Sequence, residues 1–588
     1  MRILLLVHSF NSLSQRIFVE LEERGHEVSV EFDVNDALSI EAVELFSPDV
    51  ILAPFLKRAI PEVIWKNHLC LVVHPGIEGD RGPSALDWAI LRGKREWGVT
   101  VIQADAEMDA GPVCGARSFP MRRASKSSLY RNELTKAALA VVFEALGKVE
   151  KSGFAHMPLN TVSKKLKGHW QPAMKQADRR IDWQNDDTQT VLDKIRSADG
   201  MPGVRDELLG EPVYLFDARV APGMAGKAGE IIARSGPAIC LATIDGAVWI
   251  GHIRRSRSTH PFKLPATHAL AELLPDLREI TIDSPEGYRE ISYREMGSVG
   301  FLGFDFYNGA MSTAQCQRLL SAYEKAISKD TKVIVLEGGD DFWSNGMHLN
   351  LIEAARNAGD ESWYNINAID DLAKAIIETD THLTVAAIRG NAGAGGVFLA
   401  RACDDVWLRD DVLLNPHYKD MGNLYGSEYW TYLLARYVGV QKSSDITNRR
   451  LPMGAPEAMR LGLADQSFGA TPGLFHTEVE RRARTLAGKE FFNKRLATKK
   501  EQRLCDEREK PLEDYRSEEL AKMKQNFFGF DPSYHVARYN FVYKIAKSRT
   551  PLTLARHRDQ RFASCSKSRA RPGVGNHSSD NQRERKVS

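Results

Sequence analysis

Cysteine is scarce: the seven, at 70, 114, 240, 316, 403, 505 and 565, form no C-x-x-C pair in 588 residues. That argues against a disulfide framework or a zinc ribbon, and for a reducing, cytoplasmic setting. No metal site is expected. An excess of one charge is missing too, because 79 Lys and Arg against 77 Asp and Glu leave a net +2. No overall basic field therefore speaks for nucleic acid or an anionic membrane as partner. No apolar run approaches the roughly 20 residues needed to span a bilayer. The opening MRILLLVHSF has one Arg and a short apolar run but no small-residue cleavage site. It reads as a first buried strand, not a signal peptide. No internal repeat is visible.

What is present is the composition of a soluble globular protein, 43% hydrophobic and 27% charged. At about 150 residues per domain the chain is too long for one core. Residues 1–165 alternate strand-like runs (RILLLV, HEVSVEF, PDVILAPF, LCLVVHP) with amphipathic stretches such as Ser14 to Arg24. That pattern predicts a Rossmann-like α/β domain with a parallel sheet and its ligand crevice at the strand carboxyl ends. Residues 166–268 change texture to short β-like runs (PVYLFDARV, AGEIIA, ICLATIDGAVWIGHI) between Gly and Pro, predicting a small β-barrel. A polar, Pro-containing stretch near 257–275 reads as a linker. Residues 275–550 return to α/β, with strands such as VIVLEGG and LTVAAIRG and several long helices. Residues 561–588 are polar, basic and almost free of large apolar side chains, the composition of a disordered tail.

In LVVHPGIEGDRGPSALDWAI, His74 follows a strand and begins a loop. About 35 residues later, WGVTVIQADAEMDAGPV carries Asp109. A carboxylate beside an imidazole holds its tautomer and raises its basicity, which suits proton transfer. Spacing alone equally allows a core histidine and an aspartate that caps a turn. These two segments resemble the signatures of the 10-formyltetrahydrofolate-dependent formyltransferases, an Asn-x-His loop with Arg-Gly and a Gly-Val-Thr…Asp-x-Gly segment. DRRIDWQ…VLDKIRSADGMPGV resembles the start of the small, OB-like barrel that follows in methionyl-tRNA formyltransferases. The resemblance covers roughly residues 1–265 and implies 10-formyltetrahydrofolate as substrate. By position it makes His74 and Asp109 catalytic and places Arg81 and Gly111 in the folate-binding loops. The family's Asn falls on Val72, which has no donor for the formyl oxygen. Losing one such oxyanion donor costs on the order of 3–4 kcal/mol. A backbone N–H, a charged His74, or an acceptor as reactive as a thiolate would lessen that need.

The far half carries DDFWSNGMHLN and AAIRGNAGAGGVFLARACDDVWL. The Gly/Ala-rich turn lets backbone approach a ligand, and the N–H groups at a helix start favour negative charge. A packing turn would look the same. The pair resembles the loops of the crotonase (enoyl-CoA hydratase/isomerase) superfamily, and LPMGAPEAMRLGLADQSF strengthens the likeness over about 280–480. This implies a crotonase-like α/β spiral whose Met347 and Gly395 amides polarise the carbonyl of a coenzyme A thioester, with Gly396 beside them. The hydratases' first acidic position falls on Phe398. At the second, NPHYKDMGNLYGSEYW offers His417 and Tyr418, with Glu428 ten residues on. Water addition by paired glutamates is therefore not expected, and the candidate acid and base are Tyr418, Glu428 and His417. Tyr418 as a core side chain and Glu428 as a helix-start charge stand as the plainer readings.

A formyltransferase-like module fused to a crotonase-like one, with SYHVARYNFVYK near the C-terminus, resembles a family of hydrogenase maturation proteins. The resemblance implies formyl transfer from 10-formyltetrahydrofolate to coenzyme A. Loss of carbon monoxide from formyl-CoA would follow, for the active site of nickel–iron hydrogenase. It also implies transient contact with hydrogenase maturation factors. Two other readings stay open: an amine formyltransferase with a separate acyl-CoA activity, and a scaffold that binds folate or CoA without catalysis.

Overall fold

The computed structural model describes residues 1–152, 168–282 and 284–559. The stretch 561–588, expected as a tail, lies outside the described residues. In the N-terminal unit the apolar runs form β1 (Arg2–Val7), β2 (Glu27–Phe32), β3 (Val50–Phe55) and β4 (Cys70–His74). They are followed by β5 (Glu96–Gln103) and β6 (Val113–Pro120). The order is β2-β1-β3-β4-β5-β6, so β1 through β4 are parallel neighbours. The expected all-parallel sheet needs correction, because β4–β5 and β5–β6 are antiparallel. The connection from Gln103 to Val113 is too short for a parallel crossover, which takes a dozen or more residues. Helices α1 (Ser12–Glu23) and α2 (Asp36–Phe46) each start from an Asn side-chain cap, Asn11 and Asn35. Helix α3 (Thr135–Ser152) lays Ala138, Val141, Val142 and Ala145 against β5 and β6. The outcome puts His74 at the carboxyl end of a central strand.

The second unit is an antiparallel sheet of β7 (Val204–Leu208), β8 (Glu211–Val220), β9 (Ile231–Ser235), β10 (Ala238–Ala242) and β11 (Ala247–Arg255). Helix α4 (Thr188–Ala198) packs on it through Val191, Leu192 and Ile195. The run ICLATIDGAVWIGHI is a hairpin rather than one strand, closed by Thr243 N–H on the Gly246 carbonyl at 2.9 Å. The expected linker near 257–275 is also corrected. Strand β12 (Leu264–Pro265) pairs with β11, and Phe262, Leu264, Ala266 and Leu270 are buried in this unit's core. The polar residues of the stretch hid an apolar set large enough to anchor it.

In the third unit strands alternate between two sheets. The larger has the order β13 (Ile291–Met296), β14 (Val299–Phe304), β15 (Val333–Glu337), β17 (Leu383–Ile388), β19 (Asp405–Leu408), β21 (Gln466–Ser467). The smaller takes β16 (Phe342–Ser344), β18 (Asn391–Gly393) and β20 (Leu414–Asn415), all parallel. Successive strands step from one sheet to the other, which winds the chain into a spiral and stacks the loops after β16, β18 and β20. Helix α5 (Ala358–Glu378), α6 (Gly395–Arg401), α7 (Trp430–Tyr437), α8 (Leu512–Phe528) and α9 (Ser533–Val542) surround those loops. No helix among the described residues is long and apolar enough to cross a membrane.

Candidate active sites

Residues 70, 72 and 74 share one face of β4, as alternation along a strand requires. Cys70 and Val72 sit in the core beneath it, and His74 ends the strand 4% exposed. The loop beyond is tied down by Trp97 Nε1–H on the Pro75 carbonyl (3.0 Å) and Thr100 Oγ–H on the Gly76 carbonyl (2.8 Å). The loop turns back so that Asp80 Oδ2 meets His74 Nε2 at 3.0 Å, while Asp109 Oδ1 lies 3.5 Å from Nδ1. Gly76 makes this possible, since a Cβ there would lie 2.4 Å from Asp80 Oδ2 and 2.5 Å from His74 Nε2. Asp109 has a positive φ of 59° and accepts from the Gly82 amide at 3.3 Å. Gln171, from the start of the second unit, donates to Asp80 Oδ1 at 2.9 Å.

Burial alone would pull the His74 pKa down. The hydrogen bonds and charges of Asp109 and Asp80 outweigh it and raise the pKa to about 9. Burial pushes Asp109 up, but the His74 partnership and the Gly82 amide overcome it and hold Asp109 below its ordinary value. The imidazole is therefore a cation at neutral pH, flanked by carboxylates on both nitrogens. Arg81 faces outward and pairs with Glu107 at 3.0 Å. Gly111 serves close packing, because a Cβ would lie 1.9 Å from the Gln103 carbonyl oxygen.

The second site is a cavity of about 150 Å³ whose lining includes Asn345, Met347, Gly395, His417, Tyr418, Asp420 and Glu428. Ala394, at φ 47°, turns the chain from β18 into α6. Neither the Met347 nor the Gly395 amide donates a hydrogen bond among the described residues. Two free amides at one apolar-walled cavity, one opening a helix, suit a carbonyl oxygen gaining negative charge. This donor set fits the thioester end of a coenzyme A derivative. Gly395 admits no side chain, since its Cβ would lie 1.9 Å from Glu428 Oε1. Gly396, expected beside it at the ligand, packs on the Ser344 backbone, where a Cβ would come within 2.2 Å of the carbonyl oxygen.

Tyr418 donates to Glu428 Oε2 at 2.6 Å and stacks on Phe398 with centroids 5.4 Å apart. Phe398, at the position where hydratases carry an acid, thus fixes the tyrosine ring. Glu428 is 1% exposed, and burial with repulsion from Asp370 raises its pKa to about 8 despite the bonds from Tyr418 and Ser427. Burial lowers the His417 pKa, and its Nδ1 is buried with no partner among the described residues. Tyr418, packed in the core, and Glu428, just before the start of α7, both also line the cavity. Three groups escaped the sequence reading: Asp80, Asp370 and Glu519. Asp80 stood in the quoted DRGP turn. Asp370 stood on an apolar helix face with Ile366, Ile369 and Ala373, a buried-charge signal that the helical period does carry.

The fold and sites define a folate-type formyltransferase joined to an enoyl-CoA hydratase/isomerase-type domain. The model of the formyl transferase family matches residues 1–146, that of its C-terminal domain residues 173–260, and that of the enoyl-CoA hydratase/isomerase family residues 307–527. Hydrogenase maturation factor HoxX of Bradyrhizobium diazoefficiens is 55% identical over 561 residues, covering 95% of this chain and 98% of its own. The crystal structure of HypX from Aquifex aeolicus in complex with tetrahydrofolic acid superposes with a TM-score of 0.91 at 48% identity, covering 95% of this chain and 99% of that one. The methionyl-tRNA formyltransferase of Pelobacter propionicus is 25% identical over 218 residues, 37% of this chain and 66% of that enzyme. The chain belongs to the HoxX/HypX family of hydrogenase maturation factors.

Proposed function

We propose that the protein makes carbon monoxide for the nickel–iron hydrogenase active site in two steps. Formyl passes from 10-formyltetrahydrofolate to the thiol of coenzyme A at His74, and the formyl thioester then loses CO at Glu428. Coenzyme A supplies the thiol that accepts the formyl group and leaves again as a thiolate. The observation that carries the reading is the second cavity, which keeps the thioester-binding amides of its fold but has a histidine, a tyrosine and one glutamate where hydration would need two acids. Folate binding is supported by the tetrahydrofolic acid held by the Aquifex relative.

At the first site His74, held between Asp80 and Asp109, manages the proton that passes from the thiol to the departing folate nitrogen, and the reactivity of a thiolate lessens the need for the donor missing at Val72. A thiol is acidic enough to attack as thiolate with modest help. At the second, the Met347 and Gly395 amides polarise the formyl carbonyl. His417, its Nδ1 without a partner among the described residues, removes the formyl proton as the C–S bond breaks. Glu428, in its acid form, protonates the departing sulfur, and Tyr418 holds the glutamate in place. Atoms balance: formyl thioester gives CO and thiol. Brief docking on other hydrogenase maturation factors would deliver the CO.

The test is CO release from purified protein given 10-formyltetrahydrofolate with and without coenzyme A, trapped by deoxyhaemoglobin absorbance. CO in molar excess over protein, dependent on coenzyme A, is expected. Tetrahydrofolate and formate without CO would make the protein a hydrolase and overturn the reading.

A further inference from the structure

Glu428 does not stand alone. Behind it, fully enclosed, lie Asp370 on α5 and Glu519 on α8, both at most 1% exposed. Glu428 and Tyr429 occupy consecutive left-handed conformations, φ 61° and 59°. For side chains other than Gly, such backbone is strained and persists only where surroundings impose it. The imposing groups are these two acids. Asp370 Oδ1 accepts from the Glu428 amide and Oδ2 from Ser427 Oγ, both at 2.8 Å. Glu519 Oε2 accepts from the Tyr429 amide at 2.9 Å, and Oε1 from the Thr431 amide at 2.8 Å and the Thr431 hydroxyl.

All four oxygens of Asp370 and Glu519 thus face donors: three face a backbone N–H, which a proton would oppose, and Asp370 Oδ2 faces the Ser427 hydroxyl. Glu428 differs. Its Oε2 accepts from Tyr418 and from the Ser427 amide (3.2 Å), while Oε1 meets no donor among the described residues and faces the Gly395 amide region of the cavity. Among the described residues Glu428 Oε1 takes a proton with no N–H or O–H to oppose it. We infer that Asp370 and Glu519 are the positioning residues of this site: two buried acceptors that fix the left-handed Glu428–Tyr429 turn and, with every oxygen already engaged by a donor, leave the proton that the three acids share on the cavity-facing oxygen of Glu428.

The surroundings are consistent. Burial raises Asp370 to about 7 and Glu428 and Glu519 to about 8, so the cluster retains protons near neutrality. The charged and titratable groups that act on it are Arg516, Asp371 and Tyr429, through their charge on Asp370, and Tyr418 and Cys316 beside Glu428. The one cation, Arg516, pairs with Asp371 at 2.7 Å.

This inference rests on Glu428 acting as the acid, and its test separates the two. The carbonyl-stretch infrared band of a protonated buried carboxyl, assigned by its loss in Glu428→Gln, is titrated in the full-length protein and in Asp370→Asn. The asparagine keeps the acceptor for the Glu428 amide, and Ser427 can turn its hydroxyl toward Glu519. The band's midpoint is expected to fall by about one pH unit or more in Asp370→Asn, as loss of a like charge requires. Where the protein forms CO, the alkaline limb of that activity should fall in step. An unmoved midpoint in soluble Asp370→Asn overturns the inference even if CO is formed. A lowered midpoint in a protein that makes no CO upholds the positioning role and removes the proposed reaction instead. If Asp370→Asn does not fold, Glu519→Gln carries the same expectation and the same refutation.

Discussion

At the scale of single residues, His74 joins stability to chemistry. Its folded pKa, about 9, stands above the ordinary 6.5 of an unfolded histidine. The gap is worth on the order of 3 kcal/mol of folding stability. Because the folded value is raised, that contribution is complete below pH 6.5 and disappears as pH rises through about 9. Asp80→Asn removes one of the two carboxylates. It should lower the midpoint of the His74 ring-proton titration by NMR and flatten the fall of melting temperature across that window. A variant with the wild-type midpoint would show that Asp109 alone sets the charge. His74 and Asp109 were legible because a motif carried them. Asp80 was not, because its approach depends on the missing side chain of Gly76, and no spacing rule records that. Glu519 stayed hidden for a different reason: amid SEELAKMKQ it looks like one more solvated helix charge.

At the scale of elements, the turn from β18 into α6 decides whether a thioester can be polarised. Ala394 aims the helix start, and Gly395 leaves room for Glu428. In Gly395→Ala the new methyl must displace the glutamate, since its position lies 1.9 Å from Oε1. CO formation should drop about 10²–10³-fold, the loss seen when an oxyanion donor is removed. Single-turnover transfer of formyl to the coenzyme A thiol should remain, with formyl thioester accumulating in a mass spectrum. Loss of both steps together would mean that the two sites are not separable in this way. Most strands here were readable as apolar runs, and the glycine-rich turn as a helix start. The reading failed where tertiary pairing overrode local texture. The reversed strand β5 and the strand β12 inside a polar segment are fixed by pairing with the strands beside them, which no run of residues records by itself.

At the scale of the whole molecule, the C-terminal segment returns to the first sheet. The Val30 amide donates to the Leu554 carbonyl at 3.0 Å, which covers the edge strand β2 against pairing with other chains. Beneath the contact lies Glu31, 0% exposed, which accepts from Thr550 Oγ (2.9 Å) and Arg558 (2.6 Å), with His557 Nε2 at 3.2 Å. No local pattern announces this, because the partners are more than 500 positions apart. A buried carboxylate deprived of its cation is costly, and Arg558→Ala should destabilise the N-terminal unit by about 3 kcal/mol. The same change should free the strap, so limited proteolysis would cut between residues 545 and 559 before any core strand is lost. Adding Glu31→Gln removes the stranded charge and should recover part of the melting temperature, a coupling that a mutant cycle measures. If Arg558→Ala melts like the parent and resists proteolysis, the segment lies on the sheet without fastening the first unit to the third.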